Sequence, residues 1–310
     1  MSKPPPDYHQ TLKNKKSDRS AVSRRKWLKY SSLGGLGALV SFAYPSWEAQ
    51  WLDIQEKNLV LKHFNPKSNL RLLHLSDLHL SSVVSIDFLT KALKEGLALS
   101  PDACFLTGDF ITDQPSSDKL KEYGTMLKHF AAKVPTFACL GNHDGGRWAQ
   151  KHGGFETNSK IQKLLQSAKI PVLENTRLDI NIKGQPIRLV GLGDLWSESC
   201  HPEKCLDRLV VGQSSPRSPI ILLNHNPDAK EALVNFKWDL MLCGHTHGGQ
   251  FRLPLKNSTP FAPVNDHSMV EGIHSWRGRI VHITRGVGNL YGLRLNCRPE
   301  ISLLNVSGPS

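Results

Sequence analysis

Leu70-Arg71-Leu72-Leu73-His74-Leu75-Ser76-Asp77-Leu78-His79 joins a short apolar run directly to two metal-ligand side chains spaced two apart. The same layout recurs four times. ACFLT at 103–107 runs into Gly108-Asp109, TFACL at 136–140 into Gly141-Asn142, IILL at 220–223 into Asn224-His225, and LMLC at 240–243 into Gly244-His245. Apolar runs this short, ended by Gly, Asp or Asn, read as buried strands. Between the first ones lie helical patterns at 87–99, 118–133 and 159–168. In the first, Phe88, Ala92, Leu93 and Leu97 share a face; in the second, Leu120, Tyr123, Leu127 and Phe130 do; the third carries Ile161, Leu164 and Leu165. Strand alternating with helix predicts a parallel-type sheet with helices on its faces. Such sheets gather ligands outside the carboxyl ends of their strands, so five sequence-distant blocks are expected at one rim. Further along, 178–182 and 187–190 flank Lys183-Gly184-Gln185-Pro186 as a hairpin, and 280–284 and 301–306 read as late strands. The expected fold is a single α/β sandwich of two mixed sheets.

Seven residues then form one candidate metal site: Asp77, His79, Asp109, Asn142, His225, His245 and His247. Oxygen and imidazole donors without a thiolate suit borderline divalent ions such as Mn, Fe, Ni, Co or Zn. Asp109 offers a lone carboxylate suited to bridging two ions, and two ions about 3.5–4 Å apart lower the pKa of a shared water and grip a phosphoryl group. His143 sits where it could serve a leaving oxygen, with Asp144 orienting it. Of the other histidines, His74 and His282 lie inside strand-like runs and read as structural groups. Arg252, Arg285, Arg294 and Arg298 follow the last block and are candidates for holding a substrate phosphate, alongside a purely structural role.

Composition excludes little by itself: 310 residues, 39% hydrophobic, 7% aromatic, within the globular range. The net charge of +12 does not point to a dedicated nucleic-acid binder, because residues 1–29 hold nine Lys/Arg against Asp7 and Asp18. That basic head contains Arg24-Arg25-Lys26-Trp27-Leu28-Lys29 and leads into an uncharged stretch from Tyr30 to Trp47. The layout is that of a twin-arginine export signal, with Trp27 where Phe is usual. Residues 1–50 are therefore expected to be a signal or membrane anchor and 51–310 the catalytic domain. The protein would be exported through the twin-arginine machinery, or held at the inner membrane facing the periplasm; a basic arm on a cytoplasmic enzyme is the alternative. Of six cysteines, Cys104, Cys139 and Cys243 sit in apolar runs and read as buried. Cys200 and Cys205 could close a disulfide or remain thiols.

Taken in order, D-x-H, GD, GNHD, His225 and GHTH resemble the calcineurin-like metallophosphoesterase superfamily over about residues 70–250. Longer strings, among them PTFACLGNHD at 135–144, LVGLGDLW at 189–196, WDLMLCGHTHGGQ at 238–250 and TRGVGNLYGLRLNCRPEI at 284–301, resemble its bacterial YaeI-type phosphodiesterases. The resemblance implies a four-layer α/β/β/α fold and a two-metal phosphodiesterase. One ion would take Asp77, His79, Asp109 and His247; the other would take Asp109, Asn142, His225 and His245. The superfamily also implies two rival functions: a pyrophosphatase acting on UDP-diacylglucosamine, and a binding protein without turnover.

Overall fold

The computed structural model describes residues 43–206, 218–253 and 259–309. The arginine pair and the apolar stretch up to residue 42 lie outside the described residues. Eleven strands in two sheets make up the body. The first sheet comprises β1 (Asp53–Val60), β2 (Asn69–Leu75), β3 (Ala103–Thr107), β4 (Thr136–Cys139) and β11 (Glu300–Ser307), in the order β1-β11-β2-β3-β4. β2, β3 and β4 run parallel, and β11 pairs antiparallel with β2 and parallel with β1. In the second sheet, β5 (Thr176–Ile182), β6 (Gln185–Gly191), β7 (Ile220–Leu223), β8 (Leu240–Cys243), β10 (Arg279–Ile283) and β9 (Gly272–Trp276) follow in that spatial order, with a parallel centre and antiparallel edges. Both sheets are mixed, as the sequence predicts.

Alternation along the strands explains the layering. Ala103 and Phe105 of β3 point toward the second sheet, meeting Ile187, Leu189, Ile221 and Leu242, while Cys104 and Leu106 point toward the helices. Helices α1 (Ile86–Ala98), α2 (Ser117–Ala131) and α4 (Ser159–Ser167) cover that outer face, with the one-turn α3 (Arg147–Lys151) between them in sequence. The side chains of Ser85 and Ser116 cap α1 and α2 by accepting from the Phe88 and Lys119 amides. α1 buries Leu89, Ala92, Leu93 and Gly96, so its inner face is turned slightly from the expected one, and Phe88 and Leu97 fall on its flanks. Gly96 permits this close approach, since a Cβ there would meet Leu73 Cδ2 at 2.9 Å. The outer face of the second sheet is covered by the 3-10 segment Pro227–Leu233 and the short helix Glu203–Leu206.

The hairpin β5–β6 turns at Lys183 and Gly184, both in the left-handed region (φ 50° and 83°), as a type I′ turn requires. Two strands escape the sequence pattern. β1 alternates exposed Ile54, Glu56, Asn58 and Val60 with half-buried Asp53, Gln55 and Lys57 on an edge, and β9 is a half-exposed edge strand. Cys104, Cys139 and Cys243 are buried, as expected, and no cysteine among the described residues is in a disulfide, Cys200 and Cys205 included. His74 and His282 meet between the sheets (Nδ1 to Nδ1, 2.9 Å), with His74 Nε2 on the Thr107 hydroxyl at 2.8 Å.

Candidate metal centre

All seven expected ligands converge. They lie in the loops leaving β2, β3 and β4 of one sheet and β7 and β8 of the other, and hydrogen bonds tie these loops to one another within the first sheet and across to the second. The Asp77 amide donates to Gly108 O (3.0 Å), the His79 amide to Asp109 O (2.9 Å), and the His245 amide to the Asp77 carboxylate (3.1 Å). His225 crosses from the second sheet to the first, its Nδ1 donating to Thr107 O at 2.7 Å. Close approach at the rim requires small residues: a Cβ on Gly141 would meet Asp109 Oδ1 at 2.3 Å. Five of the seven, Asp77, His79, Asp109, His245 and His247, have φ between 48° and 69°, a left-handed backbone that L-residues adopt only under tertiary constraint.

Two donor clusters result. Asp77, His79 and His247 converge in one, and Asp109, His225 and His245 in the other; His79, Asp109 and His143 also come within reach of one another where the two meet. His79 and His247 face each other through Nε2 at 3.1 Å, and His247 Nε2 lies 3.4 Å from Asp77 Oδ1. Asp109 stands between the clusters: Oδ2 is 3.5 Å from His79 Nε2 and 3.1 Å from His225 Nε2, while Oδ1 accepts the His143 amide (2.9 Å). Second contacts fix the rings. His79 Nδ1 is held by the Thr112 hydroxyl (3.0 Å) and His225 Nδ1 by Thr107 O, which turns both Nε2 atoms inward toward Asp109. Asn142 Oδ1 is buried without a hydrogen-bond partner, a cost that a bound cation would remove. The donor set therefore fits divalent ions.

Electrostatics agree. Burial pushes His79 down to about 3 and holds His245 and His247 well below the usual imidazole range, so all three are neutral donors. Burial also works against charge on His225, but the Asp109 carboxylate overrides it and raises His225 to about 10. Burial pushes Asp77 up to about 6.

Asp144 is a correction to the sequence reading. It does not orient His143, whose Nδ1 donates instead to Thr112 O at 2.9 Å. The Asp144 carboxylate turns into the rim and accepts from the amides of Gly141 (2.8 Å), Asp109 (2.9 Å) and Phe110 (2.7 Å), pinning the exits of β3 and β4 together. Of the two roles the sequence leaves open for Arg252, Arg285, Arg294 and Arg298, the structure shows the structural one. Arg285 donates to Glu300 and Asp53, Arg298 pairs with Asp53, and Arg252 pairs with Glu271. Arg294 is fully buried and donates to the carbonyls of Arg285, Gly288, His247 and Cys297. Their acidic partners are distant in sequence, so the sequence offers no sign that these cations are already engaged. Asp194 was not anticipated at the site; it is buried just beyond β6, and its charge acts on His225.

A cleft of about 770 Å³ opens onto the centre, lined by Asp109, Asn142, His143, His245 and His247 and walled by Trp148, Trp196, Phe251 and Phe261. Fold and donor set together define a metallophosphoesterase, and residues 70–249 match the calcineurin-like phosphoesterase family, to which the chain belongs. It is 38% identical to phosphodiesterase YaeI of Escherichia coli (strain K12), over 92% of this chain and 99% of that one. It is 28% identical to UDP-2,3-diacylglucosamine pyrophosphatase LpxG of Chlamydia muridarum, over 87% of this chain and 95% of that one.

Proposed function

We propose that this protein hydrolyses phosphodiesters at a centre of two divalent ions, one held by Asp77, His79, Asp109 and His247 and the other by Asp109, Asn142, His225 and His245. The observation that carries this reading is Asp109 Oδ2 standing between two imidazole clusters, with the Asn142 carbonyl oxygen buried and unpartnered beside them. Bound there, such ions supply Lewis acidity and activate water near neutral pH. The 38% identity to a phosphodiesterase supports the diester as substrate. His143 is fixed by Thr112 O through Nδ1, leaving its other ring nitrogen for the cleft, where it delivers a proton to the departing oxygen as the P–O bond breaks. Replacing His143 with Ala is expected to lower kcat by roughly 10²–10⁴-fold, with two metals per chain still found by elemental analysis. Loss of metal in that variant would make His143 a ligand instead.

The test is hydrolysis of paired chromogenic phosphodiester and phosphomonoester substrates by metal-stripped protein with Mn, Ni, Co, Zn, Fe or Mg added back. Metal-dependent cleavage favouring the diester is expected. No cleavage with any metal overturns the reading. The likeness to LpxG supports a second reading, cleavage of a pyrophosphate, for which a UDP-linked diacylglucosamine is the discriminating substrate.

Protons compete with the metals. His225, raised to about 10, carries a proton across pH 6–9 that must leave before the ring can ligate, and Asp77, near 6, adds a second below that value. Apparent Mn affinity is expected to rise about tenfold per pH unit between 6 and 9, and more steeply below 6. Calorimetric titration in buffers of different ionisation enthalpy measures the protons released; a pH-independent affinity would contradict the assignment of His225.

We further propose export by the twin-arginine route, with attachment at the membrane, supported by Arg24-Arg25 and the uncharged stretch after them. Among the described residues, no helix is long and apolar enough to cross a membrane.

A further inference from the structure

The walls of the cleft are out of character for a site that handles only phosphate. Trp148 and Trp196 stand 5.7 Å apart, and Phe251 meets Phe261 edge to face at 6.4 Å. At the mouth, Phe261 and Tyr291 are 69% and 67% exposed. Large apolar side chains this exposed beside a functional centre mark a binding surface.

Charge is the second observation. Among the described residues that line the cleft, none is Lys or Arg. Arg252, Arg285, Arg294 and Arg298 are engaged by Asp53, Glu271, Glu300 and main-chain carbonyls, and Arg147, next to Trp148, pairs with Glu198. Beyond the one phosphoryl group at the metals, none of the described lining residues answers a second phosphate or a polyanionic backbone. A substrate with a single negative charge and apolar substituents matches these walls.

Gln250 is the third. It ends the GHTHGGQ block with φ 54° and lines the cleft. It is 6% exposed, and neither Oε1 nor Nε2 has a hydrogen-bond partner. A buried carboxamide unsatisfied at both atoms costs stability unless a ligand completes it. It offers one donor and one acceptor to a hydroxyl or amide near the phosphate.

Resting on the phosphodiesterase reading above, we propose that the cleft takes an amphiphilic phosphodiester bearing an alkyl or acyl chain. The chain lies along Trp148, Trp196, Phe251 and Phe261, and Gln250 reads a hydroxyl or amide on the same substituent. A nucleobase is the less suitable occupant. Trp148 is already stacked on His152 (4.0 Å) and Trp196 is already set against His245 (4.2 Å), and the exposed mouth residues would gain nothing from a compact polar ligand.

The test compares kcat/KM of the Mn-loaded protein for glycerophosphocholine, its monoacyl derivatives with chains of 6 to 14 carbons, a dinucleotide, and a chromogenic diester. The rate constant is expected to climb at least tenfold from the chainless diester to the longest chain below its critical micelle concentration. Phe261→Ser should flatten that climb. Gln250→Leu should lower kcat/KM at least tenfold for the hydroxyl-bearing diester relative to the chromogenic one, whereas Gln250→Glu should retain part of the difference. Binding is read separately, on metal-free protein, as quenching of tryptophan fluorescence by a spin-labelled monoacyl phosphodiester; the quenching should weaken in a Trp148→Phe/Trp196→Phe double variant. Equal rates with and without chains, or preference for the dinucleotide, overturn the proposal and leave the phosphodiesterase reading standing. Failure to cleave any diester, the chromogenic one included, overturns that reading instead.

Discussion

Asp109→Asn is expected to abolish turnover, by at least about 10³-fold in kcat/KM, and to leave the protein with at most one tightly held metal. The reasoning starts from the backbone. Asp109 sits at φ 54° after Gly108, and asparagine tolerates that conformation nearly as well as aspartate, so the loop survives the exchange. Oδ1 remains a hydrogen-bond acceptor for the His143 amide. What is lost is the charge at Oδ2, the atom lying 3.5 Å from His79 Nε2 and 3.1 Å from His225 Nε2. An amide nitrogen placed there cannot share electron pairs between two cations. Groups that merely contact metal ligands cost about 10–100-fold when mutated, so a ligand common to both ions costs more. The substitution also removes the charge that raises His225, whose pKa should fall. Metal content by elemental analysis, alongside diester hydrolysis, checks both parts. Near-normal activity with two metals bound would mean that Asp109 is not the shared ligand.

The second large effect is on stability. Asp144→Ala is expected to cost on the order of 3 kcal/mol, because it strands three buried amides that each cost about 1–3 kcal/mol unpaired, less what entering water recovers. In a protein of this size that corresponds to roughly 10 °C in melting temperature. The amides belong to Gly141, Asp109 and Phe110, at the exits of two parallel strands, so the variant should also lose metal affinity although Asp144 belongs to none of the donor groups. Burial, and after it the charge of Asp109, pushes the Asp144 carboxyl up to about 8. A raised carboxyl pKa favours the folded state fully below the unfolded value near 4, and that contribution is lost as pH rises through 8. The gap in stability between wild type and Asp144→Ala should therefore narrow from pH 5 to pH 9. Urea unfolding followed by circular dichroism across that range measures it; a gap that stays constant from pH 5 to pH 9 would mean that the three amides hold the carboxylate ionised.

The divide between what sequence reveals and what it hides follows from range. The β2, β3, β7 and β8 runs are legible because each is a buried strand ended by Gly, Asp or Asn, and burial on both faces leaves no polar alternation to blur them. The ligands are legible because the loop after such a strand has few places to go. β1 is not: Asp53, Gln55, Glu56 and Lys57 on a sheet edge look like any solvated stretch. Asp194 follows an apolar run and a glycine as Asp109 does, so its place at the site is legible in the sequence. Asp144 is not legible from its adjacency to His143, because in the 3-10 turn Asn142–Asp144 the two side chains take different partners. The role of the arginines is not decided by sequence because their partners Asp53, Glu271 and Glu300 become neighbours only in the folded sheets. Gln250 carries no periodicity, and only its unpaired buried atoms distinguish it.

Five of the seven proposed ligand residues hold the left-handed backbone conformation that glycine adopts without penalty. Each such placement costs a non-glycine residue about 1 kcal/mol or more. Evolution and thermal robustness therefore pull in opposite directions at the rim. A library screened only for heat resistance, blind to turnover, is expected to accumulate glycine at positions 77, 79, 109, 245 and 247, whereas one screened for diester cleavage should purge it. Sequencing both pools would show how far this scaffold has given up durability to keep its chemistry.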